Sequence, residues 1–496
     1  MSKCGFTFFR LVLSWRNLFA VVVLSSLLLP NFGSQPAKAQ LAKNCQLSVK
    51  ATQEKENLRL SALRGDKKAE ARYLKLVKQH AQELQDCRRR TWPDNQALWL
   101  RLYPCDIQPG AIAKIMDRVA SQGYNQVYVE VFYDGQVLLP AISNNTVWPS
   151  VLRTPGTERI DLLAAAIEQG RERGLKVYAW MYTMNFGYTY AQRPDRENAI
   201  ARNGKGQTSL YVVDNGSQVF IDPYNTTAKT DYYRLVQEVM RRRPDGILFD
   251  YIRYPRQSGT DSIATKVSDL WLYTPATQEA LFRRALNTKG LDLIRRFLNK
   301  GYITVADVGE VDRLYPQESE PLWQGRTPPP GEKSLSLDQK QLVLQSDLWQ
   351  LSVAHAMQGV IDFVSLASYP AQQLGIPSGV VFFPEGNQAL GQGYDSRLQP
   401  WDRFPSTMEW HPMVYANCGQ ANCIMSQVQR VLGAAKPGTK VIPALAGRWG
   451  SPISNRPSLE VQMQALRRFA PQIKAVSHFA YSWQYPQDDM QRKTCS

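Results

Sequence analysis

The 496 residues suffice for one large α/β barrel with additions, or for two or three ordinary domains. With 44% hydrophobic and 21% charged residues, the composition is that of a globular protein and excludes a low-complexity chain. The net charge of +16 suits an anionic partner such as a cell-wall glycan, and in an exported protein it makes nucleic acid an unexpected partner.

The N-terminal segment has the pattern of a secretory signal peptide. Lys3, Arg10 and Arg16 precede an apolar run at 18–29, and an A-x-A cleavage site follows at 37–39. The run is too short for a membrane span, which needs about 20 apolar residues. We therefore predict that residues 1–39 are a signal peptide. The mature chain, without a membrane span, is then exported to the periplasm, the cell wall or the extracellular space; an uncleaved anchor is the alternative.

Six cysteines follow this segment, and an even number in an exported protein favours disulfide bonds. One pair brackets the short loop CGQANC, and a second flanks a predicted helical hairpin. The predicted bonds are Cys418–Cys423, Cys45–Cys87 and, by elimination, Cys105–Cys495. A zinc site is disfavoured because the chain has only four histidines and no CxxC pair. We expect no metal and no cofactor.

Residues 40–95 form a predicted helical extension. Within 47–88, one helix ends before the turn at Gly65-Asp66, and a second stripe at helical spacing follows. Such a hairpin suits a spacer, a lid, a wall-binding module or a packed decoration.

Between residues 96 and 490, short apolar runs alternate with amphipathic helices. The eight predicted strands are 97–104, 126–133, 175–182, 246–255, 302–310, 361–370, 440–447 and 476–483. This alternation predicts an α/β fold, a (β/α)8 TIM barrel. A further candidate strand at 409–416 leaves the later count open. Long loop insertions at 183–220, 310–348 and 371–406 follow strands and are expected at the C-terminal face, where barrels carry their active sites.

The segment 221–255 carries the clearest chemical signal. A strand ends at Phe249-Asp250, and the alternation of side chains points Leu248 and Asp250 into the barrel. Asp250 is therefore expected at the mouth, either as a structural partner of Arg253 or as a catalytic carboxylate. Burying an acidic residue there is costly, which favours the catalytic role.

The same segment resembles a known family. DGILFDYIRYP (245–255) is similar to the D-G-x-x-x-D-x-x-x-Y-P signature of glycosyl hydrolase-like family ten, and the stretches 125–140, 174–185 and 220–225 match further blocks in order. The similarity is clear over 97–255, looser to 483, and lacks a counterpart for 371–440. The resemblance implies a TIM-barrel hydrolase of envelope glycans, with Asp250 in the place of the family's strand-four carboxylate.

A glycosidase needs a second carboxylate, about 5–10 Å from the first. The candidates at other predicted strand ends are Asp307, Glu310 and Glu130. Proximity to the fourth strand slightly favours Asp307 or Glu310, which follow the predicted fifth strand.

Sugar rings stack on aromatic faces, and polar groups hold their hydroxyls. The candidate substrate-binding residues are Tyr133, Asp134, Trp180, Tyr182, Asn185, Tyr251, Arg253, Tyr254, Tyr369, His411, Tyr415 and Trp483. The sequence contains no HExxH, GxSxG, Walker A or post-strand GxGxxG motif, which disfavours metalloprotease, serine hydrolase and nucleotide-binding functions.

We therefore expect a glycoside hydrolase that cleaves O-glycosidic bonds in a cell-envelope or peptidoglycan-type polysaccharide through paired carboxylates. The alternative is a non-catalytic glycan-binding barrel that organises the cell wall.

Overall fold

Eight parallel strands close into a barrel in the computed structural model of this chain. In chain order they are β1 (Asn95–Leu100), β2 (Gln126–Tyr133), β3 (Lys176–Tyr182), β4 (Gly246–Asp250), β5 (Ser378–Phe382), β6 (Glu409–Val414), β7 (Ala444–Ala446) and β8 (Ala475–Phe479). Leu98 of β1 is in register with Val127 of β2 on one side and with His478 of β8 on the other, which closes the sheet. The predicted TIM-barrel fold is confirmed.

Helices surround the barrel, and several occur in the long connections. Their bounds are α1 (Val49–Leu63), α2 (Lys67–Arg88), α3 (Ala111–Ser121), α4 (Leu162–Glu172), α5 (Thr226–Met240), α6 (Pro275–Phe282), α7 (Thr288–Lys300), α8 (Val305–Leu314), α9 (Leu337–Gln373), α10 (Ala421–Ala434), α11 (Leu459–Phe469) and α12 (Pro486–Thr494). Short strands outside the barrel are Gln136–Val137, Ile263–Ala264, Ala389–Leu390 and Gly393–Asp395.

The strands are short apolar runs because both of their faces are covered. All eight residues of β2 are buried. Aromatic rings fill the interior: the ring of Trp99 lies 4.8 Å from Trp180 and 4.9 Å from Tyr128. The barrel is thus a packed core, and only its ends can receive a ligand.

The N-terminal hairpin α1–α2 packs against the outside of the barrel. Asp117 of α3 organises the contact: it accepts a hydrogen bond from the Tyr73 hydroxyl at 2.6 Å and pairs with Lys55 at 3.1 Å and Arg173 at 3.0 Å. These buried charges satisfy one another, as buried ions must.

All three predicted disulfide bonds are present, Cys45–Cys87, Cys105–Cys495 and Cys418–Cys423. The second of them ties α12 to the loop after β1. Arg492 of α12 strengthens this attachment through a 2.7 Å ion pair with Asp106. The C-terminal helix is therefore fixed beside the end of β1.

Two of the eight predicted strands are wrong. The stretch 302–310 is mostly α8, whose N-terminus is a capping box in which Thr304 and Asp307 bond to each other's backbone N–H groups. The stretch 361–370 belongs to α9, where buried Val360, Phe363 and Val364 recur at helical spacing.

Two other segments take their places in the barrel. The candidate strand at 409–416 is β6, and β5, Ser378–Phe382, lies inside a stretch predicted to be a loop. The number of strands was therefore correct although two identities were not.

Two predictions concern the signal peptide and the absence of a membrane span in the mature chain. The predicted signal peptide, 1–39, lies outside the residues that the structure describes, 45–213 and 216–495. Among those, α9 is long and apolar enough to cross a membrane by length and composition alone, but 61% of its apolar window is buried inside the protein. It packs along α5 as a core helix does.

Candidate active site

Consecutive strands β2, β3 and β4 bring polar and aromatic side chains to the C-terminal mouth. Glu130 is in register with Trp180, and Tyr182 is in register with Asp250. Because alternate residues share a face, these four side chains point into the barrel. A β-bulge follows Glu130, a feature that often re-aims side chains beside active sites. Two carboxylates thus lie on strands separated by a single strand.

Asp250 is nearly buried, with 6% of its surface exposed. Its Oδ2 accepts a hydrogen bond from Trp180 Nε1 at 3.0 Å, and its Oδ1 accepts one from the Tyr251 backbone N–H at 2.6 Å. Within 45–213 and 216–495, Asp250 forms no salt bridge, and the Arg253 guanidinium instead donates to the Tyr254 carbonyl at 2.9 Å. The ion-pair interpretation of Asp250 is therefore not supported.

Burial raises the pKa of Asp250 to about 6, although the Tyr251 N–H, the Trp180 indole and the Arg253 charge each act to lower it. Two neutral donors do not replace the hydration that the charged form loses. Asp250 can therefore hold a proton in mildly acidic solution, as a general acid must.

This raised pKa predicts a pH-dependent stability. Asp250 binds its proton more tightly in the folded protein than in the unfolded chain. The stability that this gives is lost as pH rises from 3.8, the usual pKa of an aspartic acid, through about 6. Asp250→Asn does not titrate. We expect the difference in free energy of unfolding, variant minus wild type, to increase by up to about 3 kcal/mol between pH 4 and pH 7.5. Urea unfolding at several pH values measures it, and a pH-independent difference would mean that Asp250 has an ordinary pKa.

A cavity of about 360 Å³ lies beside Glu130. Its walls include Trp99, Arg101, Glu130, Trp180, Phe479 and Asp489. The Glu130 carboxylate accepts a hydrogen bond from Arg101 Nε within an ion pair. Burial raises the pKa of Glu130, and the Arg101 guanidinium opposes that rise. The cavity thus holds a desolvated acid with its own counter-charge.

Aromatic rings continue around the mouth. The Tyr182 ring lies 4.2 Å from the Tyr251 ring, and Phe479 lies 5.6 Å from Tyr415 and 6.1 Å from Trp483. The structure brings together these predicted sugar-binding residues: Tyr133, Trp180, Tyr182, Tyr251, Tyr415 and Trp483.

A second cavity, of about 690 Å³, is lined by a residue that contacts Asp250. Tyr251, Arg253 and Phe383 are among its walls. Asp250 therefore contacts one residue of each cavity: Trp180 in the first and Tyr251 in the second.

The structure does not bring Asp307 or Glu310 to the mouth. Both lie on α8 and pair with Arg296 of α7, at 3.0 and 2.7 Å respectively. Asp307 also caps the helix and binds Lys300. The predicted positions of these two acids are wrong because the segment is a helix, and Glu130 remains the second candidate carboxylate.

Three predicted sugar-binding residues also lie elsewhere. Tyr369 is on α9 with 49% exposure, and Tyr254 is fully buried next to Ala356. His411 is enclosed in the barrel interior, where its Nε2 lies 3.4 Å from Glu409 Oε2. Gly379 of β5 makes room for it, because a Cβ there would lie 2.8 Å from the imidazole.

Asn185 and Asp134 organise loops at the mouth. Asn185 Oδ1 accepts hydrogen bonds from the Val219 and Gly187 backbone N–H groups at 3.0 and 3.2 Å. Asp134 accepts one from Ser217 at 3.2 Å in a turn with a positive φ of 47°. The carboxylate of Asp134 and the Oδ1 of Asn185 are thus engaged within the protein, whereas the buried Asn185 Nδ2 has no hydrogen-bond partner among the described residues.

Several residues of the first cavity were not predicted from the sequence. Arg101 directly follows β1, and a lone charge in the apolar run LWLRLYP was the available signal. Asp489 and Lys493 come from α12. The predicted Cys105–Cys495 bond indicated that the tail lies near β1, but not that it forms a wall.

No group of three His, Cys, Asp or Glu side chains suited to hold a metal ion occurs in the described part of the chain. The side chains at the mouth include carboxylates, a guanidinium and aromatic rings.

This chain is similar to known proteins in both sequence and structure. Residues 95–325 match the model of the glycosyl hydrolase-like 10 family, which confirms the resemblance seen in the sequence. No curated protein matches the chain.

Among solved structures, similar chains include the pneumococcal exo-β-D-N-acetylglucosaminidase StrH, at 10% identity over 80% of this chain and 82% of that one, with a TM-score of 0.38. The β-N-acetylhexosaminidase of Bacteroides fragilis matches at 10% identity over 80% and 63%, with a TM-score of 0.39. That of Streptomyces coelicolor matches at 9% over 79% and 60%, with a TM-score of 0.37. With TM-scores this low, these likenesses do not bear on the activity of this chain.

Proposed function

We propose that this protein hydrolyses O-glycosidic bonds in a cell-envelope polysaccharide of the peptidoglycan type, since residues 95–325 match the model of the glycosyl hydrolase-like 10 family. The observation that carries the proposal is Asp250. Its carboxyl group ends a barrel strand at the C-terminal face, has no salt bridge within the described residues, and has its pKa raised to about 6.

We assign Asp250 the role of general acid. Its proton passes to the glycosidic oxygen as the bond from that oxygen to the anomeric carbon breaks. A water molecule supplies the hydroxyl group of the new reducing end and gives its remaining proton to a carboxylate of the site. The Trp180 indole and the Tyr251 N–H then stabilise the carboxylate that remains.

Glu130 is the proposed second carboxylate. Adjacent strands lie about 4.8 Å apart, and Glu130 is level with Leu248, two residues before Asp250, so the backbones of Glu130 and Asp250 are roughly 12 Å apart. Both side chains point into the barrel, so their carboxylates lie closer together than the backbones. That spacing is compatible with the carboxylate separations of glycosidases. The Arg101 ion pair favours the charged form of Glu130, which a base or nucleophile requires. Burial raises the pKa of both carboxyl groups, and we assign the base or nucleophile role to Glu130 because only Glu130 has an ion-pair partner among the described residues.

The predicted export of the chain supports an envelope substrate. The signal pattern at 1–39 and three disulfide bonds both fit an oxidising compartment, the periplasm, cell wall or extracellular space. Without the four basic residues of the predicted signal peptide the net charge is 16 − 4 = +12, which favours association with anionic wall polymers.

The test is the release of reducing ends from purified, borohydride-reduced cell-wall glycan strands. We expect new reducing ends with wild-type protein and release at least about 100-fold slower with Asp250→Asn. If neither protein releases any but both co-sediment with the glycan, the barrel is a glycan-binding module and the proposed hydrolysis is wrong.

A further inference from the structure

The larger of the two mouth cavities, about 690 Å³ in volume, is strongly basic. Arg253 and Arg256 come from the segment after β4, and Arg397 comes from the connection between β5 and β6. Their guanidinium groups lie 5.7, 5.9 and 4.6 Å from the centre of the Phe383 ring, respectively. The three positive charges thus converge on one aromatic side chain.

These charges are poorly compensated. Asp395 supplies the only carboxylate among the described residues that form the walls, and Arg397 occupies both of its oxygens, at 2.7 and 2.6 Å. Within 45–213 and 216–495, Arg253 and Arg256 form no salt bridge. The cavity therefore carries an excess of about two positive charges.

Arg253 is the most unusual of the three because it is only 5% exposed. Burial lowers the pKa of its guanidinium, and the neighbouring Arg397 and Arg256 charges lower it further, while Tyr251 and Asp250 act in the opposite sense. A buried cation without a paired anion is costly, and an anionic ligand in the cavity would supply the missing counter-charge.

The position of the cavity relates it to catalysis. Tyr251, which donates its N–H to Asp250, also forms part of the cavity wall, and its ring lies 4.6 Å from the Arg253 guanidinium. A volume of this size accommodates a substituted sugar, and guanidinium forks bind oxyanions in a bidentate manner.

We infer that this arginine cavity binds an oxyanion substituent, a carboxylate or a sulfate or phosphate ester, on the sugar next to the bond that is cleaved. The inference rests on the proposed function for its reference to cleavage, but the binding itself does not require hydrolysis. It makes the substrate a charged glycan and the cavity a specificity subsite.

The test measures binding in the Asp250→Asn background, so that hydrolysis does not interfere. The probes are chitohexaose, its C6-oxidised carboxylate derivative and its 6-O-sulfated derivative, measured by titration calorimetry. We expect at least one charged derivative to bind about 10-fold more tightly than chitohexaose, with a preference that weakens as salt rises. Whichever derivative is preferred identifies the oxyanion.

Variants assign the preference to the cavity. Arg256→Gln is the primary variant because Arg256 is exposed and its replacement leaves the core intact. It should reduce the preference about 5-fold, and Arg253→Gln should reduce it further. The matched control is Arg72→Gln, the same change at an exposed position on α2, and it should have no effect.

Equal affinity for charged and uncharged probes, or a preference that survives Arg256→Gln and Arg253→Gln, would overturn the inference. The proposed hydrolysis is judged separately by reducing-end release from wild-type protein. Charge preference without hydrolysis would support the oxyanion subsite and contradict the proposed hydrolysis. Hydrolysis without charge preference would support the proposed hydrolysis and contradict the oxyanion subsite.

Discussion

Asp250→Asn should lower kcat for reducing-end release by about 100-fold to 10,000-fold while leaving glycan binding within a few-fold of wild type. Asparagine keeps the shape of the side chain and can still accept the Trp180 hydrogen bond seen at 3.0 Å, but it has no proton of suitable acidity. A loss confined to kcat is expected because the proton is transferred only in the transition state.

The matched control for this variant is Asp245→Asn on the same strand. Asp245 precedes β4 at the opposite end of the barrel, where it pairs with Arg171 at 3.0 Å and accepts the Val177 N–H at 2.8 Å. Its replacement is expected to cost some stability and no activity. Equal activity of Asp250→Asn and Asp245→Asn would show that Asp250 is a structural carboxylate.

Glu130→Gln should produce the second large effect, a loss of kcat of at least about 100-fold together with a loss of stability. Arg101 would lose its counter-charge inside the cavity. Because the Arg101 side chain keeps 34% exposure, we expect about 1–3 kcal/mol, less than the figure for a fully buried pair. Urea unfolding and steady-state kinetics separate the two effects.

Two further variants distinguish catalysis from folding at this position. Adding Arg101→Gln to Glu130→Gln should restore much of the stability but none of the activity, because it removes the unpaired charge without returning the carboxylate. Glu238→Gln on α5 removes another buried, arginine-paired carboxylate away from the mouth. It should destabilise the fold and leave kcat unchanged. Retained activity in Glu130→Gln would exclude Glu130 as the second carboxylate.

The parts of the fold that were predicted correctly have strong local signals. The stretch 126–133 consists of valine and aromatic residues apart from Gln126 and Glu130, and it forms β2 with the same bounds. The errors arose where local pattern was ambiguous. An apolar run at 361–370 suits a buried strand or a buried helix equally, and β5, Ser378–Phe382, is short and flanked by prolines at 377 and 384.

The site could be predicted only in part for a related reason. Asp250 was placed correctly because one strand determines its position, whereas the second carboxylate depends on which strands are neighbours. Treating 302–310 as a strand put Asp307 beside Asp250, and the barrel instead puts Glu130 two strands away. The closed sheet brings Arg101 to Glu130 in the first cavity and Phe383 and Arg397 to Arg253 in the second, so no local pattern could identify them.

The pH dependence of kcat/KM for reducing-end release by the wild-type protein tests the central claim most directly. This parameter reports the ionisation of the free enzyme. If Asp250 is the general acid, kcat/KM falls about tenfold per pH unit above pH 6, where the Asp250 proton is lost. A value of kcat/KM that stays constant from pH 5 to pH 8, or no release of reducing ends at any pH, would contradict the account.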